Sequence, residues 1–150
     1  MKLEVISISN KATQWEEEIL NVYLKQISSY TNLTIENIKP AQGKKLNIKE
    51  VQAYEEKKIL KKIKPNSLIV SFDRKGKHFD SLQFAKFTEK LISSTKVCTL
   101  VIGGSHGLSN LFLEKSDHII SFSALTFPHK LFKILLIEQL YRAISIIDSK

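Results

Sequence analysis

Two hydrophobic periods alternate along this chain, and together they predict its elements. Residues 3–9 (LEVISIS) are apolar and β-branched, which predicts a strand. Thr13 followed by Glu16 makes a capping-box pattern, after which Trp15, Ile19, Val22 and Tyr23 recur on one helical face. Residues 33–38 alternate as a second strand. A loop, Pro40-Ala41-Gln42-Gly43-Lys44-Lys45, separates them from a charged surface helix over 48–63. Residues 67–73 (SLIVSFD) read as a buried strand, followed by a basic loop, Arg74-Lys75-Gly76-Lys77. Asp80 or Ser81 then caps a helix running to about Ser93. Residues 97–102 (VCTLVI) are uniformly apolar, as in a central parallel strand covered on both faces. A glycine-rich loop over 103–109, a short helix to Lys115, a short strand over 118–122 and a loop over 123–130 follow. The chain closes on a Leu- and Ile-rich helix over 131–146.

Strands alternating with helices predict an α/β domain with a mainly parallel sheet. Ligands bind such sheets beyond the carboxyl ends of the strands. Three loops leave strands at that edge, over 73–77, 103–107 and 123–129, and they form the candidate site.

Composition narrows the partners. The chain has 150 residues, 43% of them hydrophobic and 25% charged, which suits one globular domain over 1–150. No apolar run approaches the ~18 residues of a membrane span, and the first residues lack the pattern of a signal peptide. The single cysteine, Cys98, excludes an internal disulfide and a cysteine-rich zinc cluster. These features point to the cytoplasm. The net charge of +8 is spread evenly: residues 1–64 hold twelve basic and eight acidic residues, and 65–150 hold eleven and seven. A distributed excess of this kind suits a polyanion partner, through sequence-independent attraction to phosphate. It equally suits a soluble protein of high pI.

The loops carry the candidate chemistry. Gly103-Gly104-Ser105-His106-Gly107 holds three of the chain's five glycines and permits close backbone approach to a ligand. It is neither a dinucleotide fingerprint nor a phosphate loop, and a tight strand-to-helix turn explains it as well. Ser123-Ala124-Leu125-Thr126-Phe127-Pro128-His129 mixes small, apolar and hydroxyl residues able to wrap an aromatic ring, or serves as a hydrophobic connector whose proline starts the final helix. Glu138 and Arg142 are spaced i,i+4: a surface ion pair, or an arginine reaching phosphate with the glutamate orienting it. Cys98 reads as a buried small residue. His78, His106, His118 and His129 show no metal-ligand spacing, and no metal is expected.

Taken together, three segments are far more specific than their parts: Leu100-Val101-Ile102-Gly103-Gly104-x-x-Gly107-Leu108, Ser121-Phe122-Ser123-Ala124-Leu125-Thr126-Phe127-Pro128-His129, and Ile137-Glu138-Gln139-Leu140-Tyr141-Arg142-Ala143. They resemble the RlmH family, bacterial 23S ribosomal RNA pseudouridine N3-methyltransferases of the SPOUT superfamily. The opening strand, the loop at 40–45 and Ser71-Phe72-Asp73-x-x-Gly76-Lys77 fit as well. The resemblance covers nearly the whole chain, strongly from Ser67 onward and diffusely between Lys11 and Lys64.

The resemblance implies an α/β, SPOUT-type parallel-sheet domain with a C-terminal trefoil knot, a feature no periodicity reveals. It implies a homodimer binding S-adenosylmethionine, with cofactor contacts at Phe72, Gly103, Phe122, Ser123, Ala124, Leu125, Thr126 and Phe127. Phe72 stands where several members carry leucine. The implied reaction is attack by a pyrimidine ring nitrogen on the sulfonium methyl, at N3 of a pseudouridine on the assembled ribosome. Arg142 is the candidate for stabilising the developing anion or placing RNA, with His129 beside it. Lys44, Lys45, Arg74, Lys75 and Lys77 are the candidate phosphate contacts. Members carry a short Tyr-His tail that this sequence does not show before Lys150. Two alternatives therefore stay open: a catalytically impaired ribosome- or RNA-binding protein, and a SPOUT methyltransferase acting on transfer RNA.

Overall fold

A computed structural model describes residues 2–43, 45–94 and 97–149. Five strands and five helices alternate: β1 (Lys2–Ile8), α1 (Gln14–Ser28), β2 (Asn32–Ile38), α2 (Ile48–Lys62), β3 (Leu68–His78), α3 (Ser81–Ser94), β4 (Val97–Ile102), α4 (Asn110–Glu114), β5 (His118–Ser121) and α5 (His129–Asp148). The strands form one sheet in the order β2-β1-β4-β3-β5, and every pairing is parallel. The apolar run of β4 occupies the middle of the sheet, as its composition predicts, because a strand covered on both faces needs apolar residues at every position.

Side-chain alternation divides the core into two layers. On one face Leu3, Val5, Cys98, Leu100 and Ile102 pack with Leu20 and Ile27 of α1, Phe84 and Leu91 of α3, and Leu136, Ile137 and Leu140 of α5. On the other, Ile6, Ile8 and Val101 pack with Ile59 of α2 and with Leu108 and Phe112 around α4. Burial pushes the Cys98 thiol up to about 12, helped by the nearby Asp117 carboxylate, so the thiol is inert in the native protein. Among the described residues no helix is long and apolar enough to cross a membrane.

Three expectations from the chain pattern change. Thr13 is the N-cap of α1 but its side chain makes no cap hydrogen bond. Its intended partner, Glu16, is buried and ion-paired with Lys133 of α5, a stronger partner than a cap amide. The stripe Trp15, Ile19 and Val22 faces outward, with Trp15 51% and Val22 58% exposed. Leu20 and Ile27 carry the buried face instead. The basic segment 74–77 is not a loop: β3 runs on to His78, with a register shift between Phe72 and Lys77 against β5. The capping boxes form elsewhere. Asn47 and Glu50 exchange bonds at the start of α2, and Asp80 and Gln83 do so at the start of α3.

Candidate active site

All three segments expected at the carboxyl edge meet there, the first of them as the end of β3, around a cleft of about 560 Å³. That volume lies within the ordinary range for small-molecule sites. Each wall has a local cause. The bulged end of β3 supplies Phe72, Asp73, Arg74 and Lys75. Asp73 Oδ2 accepts the Lys75 N–H at 2.9 Å, turning the backbone so that the basic side chains stand at the rim. The loop after β4 turns between Gly104 and Gly107, whose N–H donates to the Gly104 carbonyl at 2.9 Å. Gly107 has φ +70°, a conformation that favours glycine.

The third wall is the loop between β5 and α5. Ser121 Oγ donates to the Ser123 carbonyl at 2.9 Å, and Ser123 Oγ accepts the Leu125 N–H at 2.9 Å. These bonds bend the chain away from the sheet and leave Leu125 70% exposed over the cleft. Pro128 (φ −54°) then caps α5. The floor is aromatic. Phe72 meets Phe122 edge-on at 5.3 Å between centroids, Phe122 stacks on Phe132 at 5.5 Å, and Phe84 closes the cluster behind Phe122 at 5.0 Å.

Most of the site residues expected from sequence come together. Phe72, Gly103, Phe122, Ser123, Leu125, Thr126 and Phe127 all line the cleft, as do His129, Arg74 and Lys75. Ala124 is exposed in the same loop without lining the cleft. Lys77 lies over the Phe79 ring at 5.6 Å, outside it. Lys45 is exposed on the loop preceding α2, and Lys44 lies outside the described residues. Arg142 does not face this chain's own cleft. It is thirteen residues along α5 from His129, roughly 20 Å at the helical rise, exposed and bonded to Glu138 Oε1 at 3.2 Å. Sequence reasoning missed Gln52, Ser109, Asn110 and Phe132. Ser109 and Asn110 follow the glycine loop directly and were within reach of a pattern argument. Gln52 comes from a distant helix and left no signal.

The His129 imidazole is held below the usual histidine range, first by burial and then by the Lys133 and Lys130 ammonium groups. It is therefore neutral at neutral pH and offers a lone pair at the mouth of the cleft. The unfolded chain takes up this proton first, so the contribution to stability is full above the ordinary value of 6.5 and is lost as pH falls below it. An NMR titration is expected to give a His129 midpoint below 6.5. His129→Asn is expected to flatten the stability curve on the acid side of that value; an unchanged slope would show that the shift is absent.

Comparison with known proteins adds to this geometry. The family model described as "Predicted SPOUT methyltransferase" matches residues 1–150. Proteins named ribosomal RNA large subunit methyltransferase H match along nearly their whole length. That of Carboxydothermus hydrogenoformans is 36% identical, covering 98% of this chain and 96% of the relative. That of Clostridium acetobutylicum is 36% identical over 97% and 95%, and that of Clostridium perfringens strain 13 is 34% identical over 100% and 98%.

This chain belongs to the RlmH family of SPOUT methyltransferases. The all-parallel sheet with its cleft at the carboxyl edge is the architecture the resemblance implied. The RlmH resemblance assigns Phe72, Gly103 and 122–127 to the cofactor, and here all of these but Ala124 line one cleft.

Proposed function

We propose that this RlmH-family chain transfers the methyl group of S-adenosylmethionine to N3 of a pseudouridine in 23S ribosomal RNA. The substrate is the assembled ribosome, and the enzyme acts as a cytoplasmic homodimer of one SPOUT domain over 1–150. One observation carries the reading: two strand-end loops and the bulged end of β3 converge on a cleft with an aromatic floor and a basic rim of Arg74 and Lys75. The lining fits the cofactor. A Cβ on Gly103 would stand 2.9 Å from the Gly107 carbonyl carbon and one on Gly104 3.0 Å from Ile8 Cγ2, so the tight packing of this loop at the cleft needs glycine at both positions. Backbone donors and acceptors of 123–127 suit a purine edge.

When bound, the cofactor supplies an electrophilic sulfonium methyl group. The protein's share is positioning and desolvation. Phe72, Phe122 and Phe132 exclude water from the floor, and the glycine loop and the 123–127 loop hold the nucleoside between them. Arg74 and Lys75 attract the phosphates of the incoming RNA strand, Lys45 and Lys77 extend that attraction beyond the cleft, and Lys44 adds its charge to it. Neutral His129 accepts a hydrogen bond near the target ring. Arg142, remote from its own cleft, serves the cleft of a second copy, where its cation favours the anionic ring nitrogen. The outward apolar side chains Trp15, Ile19 and Val22 of α1 and Leu131 of α5 support such a dimer, since isolated subunits rarely expose a row of this kind.

The reading includes the family's C-terminal knot. It is supported by the reach of Lys133, near the start of α5, to Asn37 on β2, at the opposite sheet edge from β5.

The test is transfer of labelled methyl from S-adenosylmethionine to ribosomes lacking N3-methylpseudouridine, with free ribosomal RNA and transfer RNA alongside. The expected product, identified by mass spectrometry, is N3-methylpseudouridine in the large-subunit RNA of intact ribosomes. Methyl on transfer RNA would replace the substrate assignment. Cofactor binding with no transfer to any RNA would make the chain a ribosome- or RNA-binding protein.

A further inference from the structure

Helix α2 lies on the opposite sheet face from α1, α3 and α5, and the mechanism above uses none of its side chains. Yet Gln52, Glu55 and Glu56, at i, i+3 and i+4, turn toward the glycine loop. Gln52 Nε2 donates to the His106 carbonyl at 3.0 Å. Glu56 receives two bonds from one residue, the Ser109 N–H at 2.7 Å and the Ser109 hydroxyl at 2.5 Å. Ser109 Oγ in turn accepts the Phe112 N–H at 3.2 Å and so caps α4. Glu55 accepts the Ala41 N–H at 3.1 Å, and its Oε1 lies 3.0 Å from where a Cβ on Gly104 would stand. It therefore lies close against Gly104 while tying α2 to the loop that carries Lys45.

Both carboxylates are buried, Glu55 at 4% and Glu56 at 9% exposure. Burying two adjacent carboxylates is costly, and an apolar pair would seat a helix on Ile8 and Leu108 at lower cost. What an apolar pair cannot do is fix the two ends of a glycine loop that has little side-chain packing of its own. Charge-assisted bonds are short and directional, and suit that task.

We infer that Glu55 and Glu56 are positioning residues for the methyl donor: α2 braces the glycine loop in its cofactor-binding shape through Ser109 and Gly104. The inference rests on the reading of the cleft as the cofactor site. Neither carboxylate touches the cofactor. Each acts through the loop.

The test is calorimetric binding of S-adenosylhomocysteine to the full chain and to Glu56→Gln, Ser109→Ala and Glu55→Gln, well below each variant's Tm. Glu56→Gln, left with an amide facing the Ser109 N–H, is expected to weaken binding about 10-fold, and the KM for the methyl donor rises with it while kcat moves less. Glu56→Gln combined with Ser109→Ala is expected to weaken binding no more than the worse single variant, because both remove one clamp. Glu56→Asp restores part of the affinity. Wild-type affinity in both Glu56→Gln and Glu55→Gln, whatever their Tm, would overturn the inference. Should Glu56→Gln fail to fold, Ser109→Ala is compared with Ser109→Asn, which keeps a side-chain acceptor for the Phe112 N–H; wild-type affinity in Ser109→Ala would then overturn the inference. Gly103→Val separates the two failures. If it abolishes binding while the α2 variants bind normally, the cofactor site stands and the brace does not. If it binds as wild type, the site reading fails and takes the inference with it.

Discussion

Lys133→Met is expected to lower stability by roughly 3–5 kcal/mol, the cost of leaving one partner of a buried ion pair alone. Lys133 and Glu16 are both fully buried, with Nζ 2.5 Å from Oε2. The same ammonium donates to Asn37 Oδ1 at 2.8 Å. One side chain thus ties α5 to α1 and to the end of β2. Removing it strands the Glu16 carboxylate, for which Lys130, 4.0 Å away and partly exposed, is a poor substitute. In a domain this size the loss is on the order of 10 °C in Tm, read by thermal or denaturant unfolding. Glu16→Leu combined with Lys133→Met is expected to recover most of it, because the pair's value lies in not being broken. A single variant as stable as the parent would show that the carboxylate is hydrated or neutral. The consequence reaches the site. Lys133 is one residue beyond Phe132 and four beyond His129, so it anchors the turn of α5 that carries both cleft residues.

Gly103→Val is expected to lower methyl transfer about 100-fold, the scale of a displacement of roughly 1 Å in a reacting geometry. A Cβ at this position would stand 2.9 Å from the Gly107 carbonyl carbon and 3.0 Å from Leu108 Cγ. The first is backbone and the second belongs to the buried core, so neither gives way cheaply. The turn between Gly104 and Gly107 must open, carrying the loop into the cleft. Cofactor affinity is expected to fall with activity, while the sheet beneath, held by β4 between β1 and β3, keeps the protein folded. Circular dichroism alongside the methyl-transfer assay separates the two effects. Normal turnover would remove this loop from the site.

The central strand, two of the three loops expected at the sheet edge and most of the cleft lining were legible from residue order. Uniform apolarity of 97–102 marks a doubly covered strand, and glycine or proline beside a strand end marks a turn. Such signals are local, and local physics is readable in one dimension. The errors share one cause. Trp15, Ile19 and Val22 form a helical stripe, but periodicity reports that a stripe exists, not whether it meets its own core. The 74–77 segment looked like a loop because it is charged and holds a glycine. It remains extended because β5, more than forty residues later, supplies the ladder for Lys77 and His78.

The pair Glu16–Lys133 was illegible for the same reason. Glu16 had a plausible local role as a capping residue, and Lys133 sat in a run of leucine and isoleucine. Only the packing of α5 against α1 excludes water from both and makes each the other's partner. Likewise Glu55 and Glu56 read as part of a charged surface helix, until the glycine loop folds back over α2. By itself, then, residue order determined the alternation of elements, the parallel sheet and the family's loops, because backbone preference and hydrophobic period act over a few residues. Only tertiary structure decided which carboxylates are buried and which arginine leaves its own cleft. Burial and ion pairing depend on what a distant segment covers, and no local pattern encodes that.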